Sequence, residues 1–126
     1  MIRPVLIFNL FYSIISKQNS LSIEKDYIST LKNKIINFCV YVELVHLASL
    51  IHDDIIDEAN IRRGKESINQ KFGNNIAVLL GDYLIIESIN ILINSGLSFI
   101  IPDSIDLTKK LLKGEIHELL NGFKKI

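Results

Sequence analysis

The stretch LASLIHDDIIDEANIRRGKE, residues 47–66, decides how this chain is read. Three aspartates, Asp53, Asp54 and Asp57, interrupt an apolar run, and two adjacent arginines and a glycine, Arg62, Arg63 and Gly64, follow within a few positions. Upstream, Leu44, Leu47, Ile51 and Ile55 recur at helical spacing, flanked by Val45 and Ala48, so the aspartates fall on a helix. On that helix His46, Asp53 and Asp57 share one face, separated by seven and four positions, with Glu43 one turn before His46. Asp53 and Asp57 then form a like-charge pair one turn apart, which costs ~0.2–0.5 kcal/mol when solvated and more in a cleft of lower dielectric.

A hard divalent cation removes that repulsion. Magnesium takes carboxylate oxygens together with substrate phosphates and keeps several waters. The arginines fit the same scheme, since a guanidinium fork matches phosphate oxygens two at a time. Gly64 lets the loop turn back toward the helix. Carboxylates, magnesium and arginines together read as a clamp around a diphosphate.

Around this segment the chain reads as all-α. It has 126 residues, within the size of one domain, and 48% are apolar, enough for a sizeable core. About five helices are expected: residues 4–16, residues 23–31, a long buried helix over 34–58, a fourth capped by Asn74 or Asn75 and reaching residue 93, and a last one capped by Asp103 and running to 121. The segment ANIRRGKESINQKFGNN between the third and fourth reads as a loop, with one short helix near residues 67–72.

Charge and cysteine content exclude several classes. The 14 basic and 14 acidic residues balance, so no nucleic-acid partner is expected. The single Cys39 excludes an intramolecular disulfide. PVLIFNLFYSIIS, residues 4–16, follows Arg3 like the core of a signal peptide, but it lacks a small-residue cleavage site and is expected to be a buried helix. SINILINSGLSFII, residues 88–101, is too short and polar to span a bilayer. A soluble, cytoplasmic protein with no transmembrane segment is expected.

The string HLASLIHDDIIDEANIRRGKESINQKFGNNIAVLLGDYLI, residues 46–85, resembles the first aspartate-rich region of the trans-isoprenyl diphosphate synthases, or polyprenyl synthetases. The histidine seven residues before the aspartates, then DDxxD, RRG, FGN and GD, follow that family's order. IRPVLIF resembles the end of its GGKRxRP motif, and LLKGEIHELLNG its GExxQL helix, with Glu118 where glutamine is usual. HLASLIHDD is most similar to long-chain polyprenyl diphosphate synthases.

The resemblance implies an isoprenoid-synthase-type helical bundle that condenses an allylic prenyl diphosphate with isopentenyl diphosphate. It implies a catalytic magnesium platform of Asp53, Asp54 and Asp57, with Asp53 and Asp57 as the metal ligands. Arg62 would contact the allylic diphosphate, and Arg63, His46 and Arg3 would contact isopentenyl diphosphate. Small residues at Ala48 and Ser49 would leave the product pocket open to a long chain. Lys65, Gly73 and Asp82 sit in matching segments without an assigned chemistry.

The match covers only the first part of a family member. The GGK residues would precede Met1, and the lysine–threonine, phenylalanine–glutamine and second aspartate-rich motifs do not appear. A single partial domain over residues 1–126 is therefore expected, an incomplete bundle inactive by itself. It would pair as a homo- or hetero-oligomer, with a chain supplying the missing half or as a non-catalytic partner or remnant beside a full-length synthase.

Overall fold

The computed structural model describes residues 25–124 together with Asn9. Arg3 and the helix expected over residues 4–16 lie outside the described residues.

The first described helix, α1 (Lys25–Ile56), is 32 residues long and extends about 48 Å at 1.5 Å per residue. It corrects the sequence expectation of two helices broken near residue 32. Lys32, Asn33 and Lys34 include no glycine or proline, so nothing there breaks the helix and the polar turn belongs to a continuous rod. Cys39, Tyr41, Ala48 and Ile51 are buried along α1.

The end of α1 is a Schellman motif. Glu58 takes a left-handed φ of 54°, its N–H donates to the Ile55 carbonyl at 3.2 Å, and Ala59 N–H donates to the Asp54 carbonyl at 2.8 Å. The chain thereby reverses into a two-residue-loop hairpin, β1 (Ile61–Arg62) and β2 (Lys65–Glu66), paired antiparallel in the register Ile61 with Glu66 and Arg62 with Lys65. At its tip Arg63 and Gly64 have φ of 51° and 77°, the two positive values a type I′ turn requires. What reads in sequence as loop is thus a small ribbon.

Ser67 caps the short α2 (Ile68–Phe72) by accepting from Gln70 N–H at 3.3 Å, and its own hydroxyl donates to the Ala59 carbonyl at 2.7 Å. Gly73, with φ 91°, joins α2 directly to α3 (Asn74–Asn94). It takes the capping position expected of Asn74 or Asn75, with no side-chain cap, and Asn74 falls inside the first turn. At the far end Gly96 (φ 72°) allows a second Schellman reversal: Leu97 N–H donates to the Leu92 carbonyl at 2.8 Å, and both leucines are buried. A 3₁₀ turn, Ser98–Ile100, runs into α4 (Ile101–Lys124). Asp103 therefore lies in the first turn of α4 instead of capping it, where its charge favours the positive end of the helix.

The all-α expectation holds: four α-helices, one short hairpin and one 3₁₀ turn are the elements of the described residues 25–124. α1 and α3 pack along each other, and Tyr41, Leu92 and Leu97 form a core with Phe38, Val42, Val45, Ile100 and Ile101 around it. The bundle is open. On α3, Leu79, Tyr83, Ile86 and Ile93 are exposed while Ala77, Gly81, Ser88 and Leu92 are buried, so the helix is apolar on nearly every side. Such a helix belongs in the middle of a larger assembly or in a membrane.

Two stretches, Asp26–Ile56 and Asn74–Asn94, are long and apolar enough to cross a bilayer. The expectation of no transmembrane segment weighed residues 4–16 and 88–101 and not these two helices. Core helices of a soluble bundle meet the same criterion, and Asp53 and Asp54 lie within the first of the two.

Candidate functional site

A cleft of about 450 Å³ lies between α1, α3 and α4. Four of its wall residues, Tyr41, Val45, Ser49 and Asp53, succeed one another at four-residue steps along α1. Ile85, Ser88, Ile89 and Leu92 supply the α3 wall, and Ile101, Ser104, Ile105 and Thr108 begin the α4 wall. From Tyr41 to Asp53 is 12 residues, about 18 Å along the helix axis. Tyr41 Oη and Ser104 Oγ are hydrogen-bonded to each other, tying α1 to α4 at that end of the cleft.

The three aspartates divide. Asp53 is half-buried and lines the cleft. Asp57 is exposed at the helix end. Neither accepts a side-chain hydrogen bond among the described residues. Asp54 is only 3% exposed and is fully engaged with Arg62. Arg62 Nε donates to Asp54 Oδ1 and Oδ2 at 2.9 and 2.8 Å, and Nη2 donates to Oδ1 at 2.6 Å. The hydrogen bond to Asp54 raises the Arg62 pKa further, reinforced by the negative charges of Asp54, Asp53 and Asp57 and partly offset by desolvation.

The last turn of α1 has no basic residue, and the three carboxylates stand at the negative end of the helix dipole. Each is disfavoured there by ~0.3–1 kcal/mol unless a cation answers it. Arg62 answers Asp54. Asp53 and Asp57 still face that field. No group of three or more His, Cys, Asp or Glu side chains gathered for a metal exists among the described residues. Two hard carboxylates one turn apart nevertheless suit an ion whose remaining ligands are phosphate oxygens and water, which is how magnesium is commonly held.

The other sequence candidates are dispersed. Ser49 lines the cleft, its hydroxyl donating to the His46 carbonyl at 2.7 Å. Ala48 is fully buried and does not line the cleft. His46 is half-buried on α1, outside the cleft lining. Arg63 is exposed at the hairpin tip, and Arg3 lies outside the described residues. Sequence reading did not single out Tyr41, Ser104 or His52, all of which line the cleft. The four-residue spacing from Asp53 back to Tyr41 was the available signal for Tyr41.

A family model described as Polyprenyl synthetase matches residues 1–125. An octaprenyl diphosphate synthase of Haemophilus influenzae is 36% identical over 86 residues, covering 68% of this chain and 26% of the relative. A nonaprenyl diphosphate synthase of Mycobacterium tuberculosis is 38% identical over 81 residues, covering 61% of this chain and 23% of the relative. A protein named heptaprenyl diphosphate synthase component 2, of Bacillus subtilis, is 47% identical over 60 residues, covering 48% of this chain and 17% of the relative. The matches span about a quarter or less of the length of these curated relatives.

Proposed function

The chain belongs to the polyprenyl synthetase family, and we propose that it serves prenyl transfer, in which an allylic prenyl diphosphate is condensed with isopentenyl diphosphate to lengthen a polyprenyl chain. The observation that carries this reading is the α1 wall of the cleft. Asp53, which the helix leaves unsatisfied, lines the cleft with Asp57 one turn beyond it, and Val45, Ile85, Ile89, Leu92, Ile101 and Ile105 give the cleft a largely apolar lining. A substrate with a charged head and a long hydrocarbon tail matches that polarity.

In this reading Asp53 and Asp57 hold magnesium. When bound, that ion supplies electrostatic stabilisation to the departing diphosphate. Asp54 contributes at one remove, by holding Arg62 and the hairpin against α1. Arg62 keeps Nη1 outside its pair with Asp54 and turns it to the allylic diphosphate. Arg63, His46 and Arg3 bind isopentenyl diphosphate. The allylic C–O bond breaks, the isopentenyl double bond attacks the allylic carbon, and a proton is lost. The apolar walls keep water from the cation. The small Ser49 leaves the cleft open past the aspartates and so favours a long product.

Among the described residues α3 and α4 keep exposed apolar faces, and in this reading the chain acts as one partial domain that turns over little substrate alone. Its partner is either a second polypeptide or further chain that completes the cleft, in a homo- or hetero-oligomer located in the cytoplasm. A second reading, a non-catalytic subunit paired with a full-length prenyl synthase, draws support from the relative named as a component of heptaprenyl diphosphate synthase.

Incorporation of labelled isopentenyl diphosphate tests the proposal, with the chain alone and with a polypeptide carrying the remainder of a family member. No product alone, product with the complement, and loss of product on Asp53→Ala/Asp57→Ala are expected. Full turnover by the chain alone would overturn the need for a complement. Product unaffected by the double substitution would favour the non-catalytic subunit.

A further inference from the structure

We propose that His52 is a positioning residue, clamped against Gly81 and Asp82 of α3 so as to fix the direction in which Asp53 and Asp57 present their carboxylates; the inference rests on the magnesium–diphosphate reading above. His52 Nε2 donates to the Val78 carbonyl at 3.2 Å and lies 3.4 Å from Asp82 Oδ1. One ring nitrogen thus touches two positions a single turn apart on α3.

The space for the ring is provided by the absence of a side chain at Gly81. A Cβ there would stand 2.5 Å from His52 Cδ2, 2.9 Å from Cε1 and closer still to Nε2. Gly81 is buried inside a regular helix and has no positive φ, so its backbone does not call for glycine. Glycine weakens a helix interior, and here close approach of the imidazole is its physical reason. Gly114 and Gly122 of α4 contrast with it, since a Cβ at either would meet nothing within 4 Å. Both residues of the GD pair thus meet His52: Gly81 admits the ring and Asp82 lies beside its Nε2.

The consequence for the site follows from helix geometry. His52 and Asp53 are consecutive and both line the cleft. Fixing the ring on α3 sets the rotation of the last turns of α1 about their axis, and with it the directions of Asp53 and, one turn on, Asp57. A metal–diphosphate site tolerates displacements of only about 0.5 Å. The engaged Nε2 also argues that His52 acts through its neighbours instead of by touching the diphosphate with that nitrogen.

The test compares the unaltered chain with His52→Ala, His52→Gln, Gly81→Ala and the double variant His52→Ala/Gly81→Ala. Helix content and thermal midpoint are measured for each, with magnesium-dependent binding of farnesyl thiolodiphosphate, an unreactive allylic probe, by calorimetry. His52→Ala is expected to keep its helix content and to weaken probe binding about tenfold or more, the usual scale for residues that orient metal ligands. His52→Gln, whose amide nitrogen reaches the place of Nε2, is expected to restore binding to within about threefold of the unaltered chain. Gly81→Ala lowers the midpoint, and removing the ring in the double variant recovers the midpoint without recovering binding.

Unchanged probe binding by His52→Ala overturns the inference, as does a double variant that recovers binding together with stability. If His52→Ala does not fold, His52→Asn replaces it, since the shorter amide does not reach Val78; the same loss is expected, and unchanged binding overturns the inference. An unaltered chain that binds no probe defeats the functional reading, and this inference with it. Binding by the unaltered chain and by His52→Ala alike defeats this inference only.

Discussion

Asp54 and Arg62 hold each other through three hydrogen bonds of 2.6 to 2.9 Å, with Asp54 nearly sealed from solvent. Both residues belong to motifs that invite assignment to ligand, yet here each is the other's partner. The pair fastens the Arg63–Gly64 hairpin to the last turns of α1. Removing either residue alone strands the other, and a buried carboxylate without its partner is destabilising. Arg62→Ala and Asp54→Ala are each expected to lower the urea midpoint, while the double variant loses clearly less than the sum of the two. A double-mutant cycle by urea unfolding checks this, and strict additivity would show that the pair contributes nothing.

Asp53 and Asp57 are expected to show the opposite balance. Each lies at the negative end of α1 without a side-chain hydrogen bond among the described residues. Replacing either by alanine leaves stability unchanged or raises it, by up to about 1 kcal/mol. The same substitutions weaken magnesium-dependent diphosphate binding by about tenfold or more. Thermal melts and calorimetry on the two single variants measure both effects. A joint loss of stability and binding would mean that these carboxylates are structural.

Ser49 lies on the cleft wall one turn before Asp53, with its hydroxyl turned to the His46 carbonyl. A large side chain there fills the path toward Tyr41. Ser49→Phe is expected to weaken binding of a twenty-carbon allylic diphosphate about tenfold relative to a ten-carbon one, a discrimination within reach of a pocket filled by one bulky group. Competition of the two diphosphates for the same site gives the ratio.

Cys39 is buried on α1, and burial pushes its thiol pKa up, with the Glu43 charge adding to the shift. The thiolate is the reactive species, so at pH 8 the folded chain holds less of it than an exposed cysteine would. Modification by a maleimide is expected to be slow in the folded chain and to speed up on denaturation. Raising the pH should accelerate the folded-state reaction into a higher range than for a small thiol. Equal rates folded and unfolded would contradict the burial.

Much of this was legible in the sequence, for identifiable reasons. The limits of α3 came within a residue or two because Gly73 and Gly96 punctuate both ends with positive φ. The helices expected over residues 23–31 and 34–58 are one helix, α1, since Lys32, Asn33 and Lys34 include nothing that disrupts a helix. The hairpin was hidden because its turn pairs glycine with arginine, a residue that seldom takes positive φ. The division among the aspartates was half legible. Consecutive helical residues point about 100° apart, so Asp53 and Asp54 could not both face one ligand. What no spacing could give was the partner of Asp54, because the Schellman reversal at Glu58 and Ala59 is what brings Arg62 back. Gly81 within an apolar helical run was a signal of close approach, but the ring it admits comes from a helix 29 positions earlier, and only packing reveals that.

In the proposed function α1 presents a magnesium-dependent diphosphate site on an apolar cleft. Calorimetric titration of the chain with farnesyl thiolodiphosphate, with and without magnesium, tests it most directly. Saturable binding that requires magnesium and is abolished by Asp53→Ala/Asp57→Ala is the predicted result. Binding indifferent both to magnesium and to those two carboxylates would contradict it.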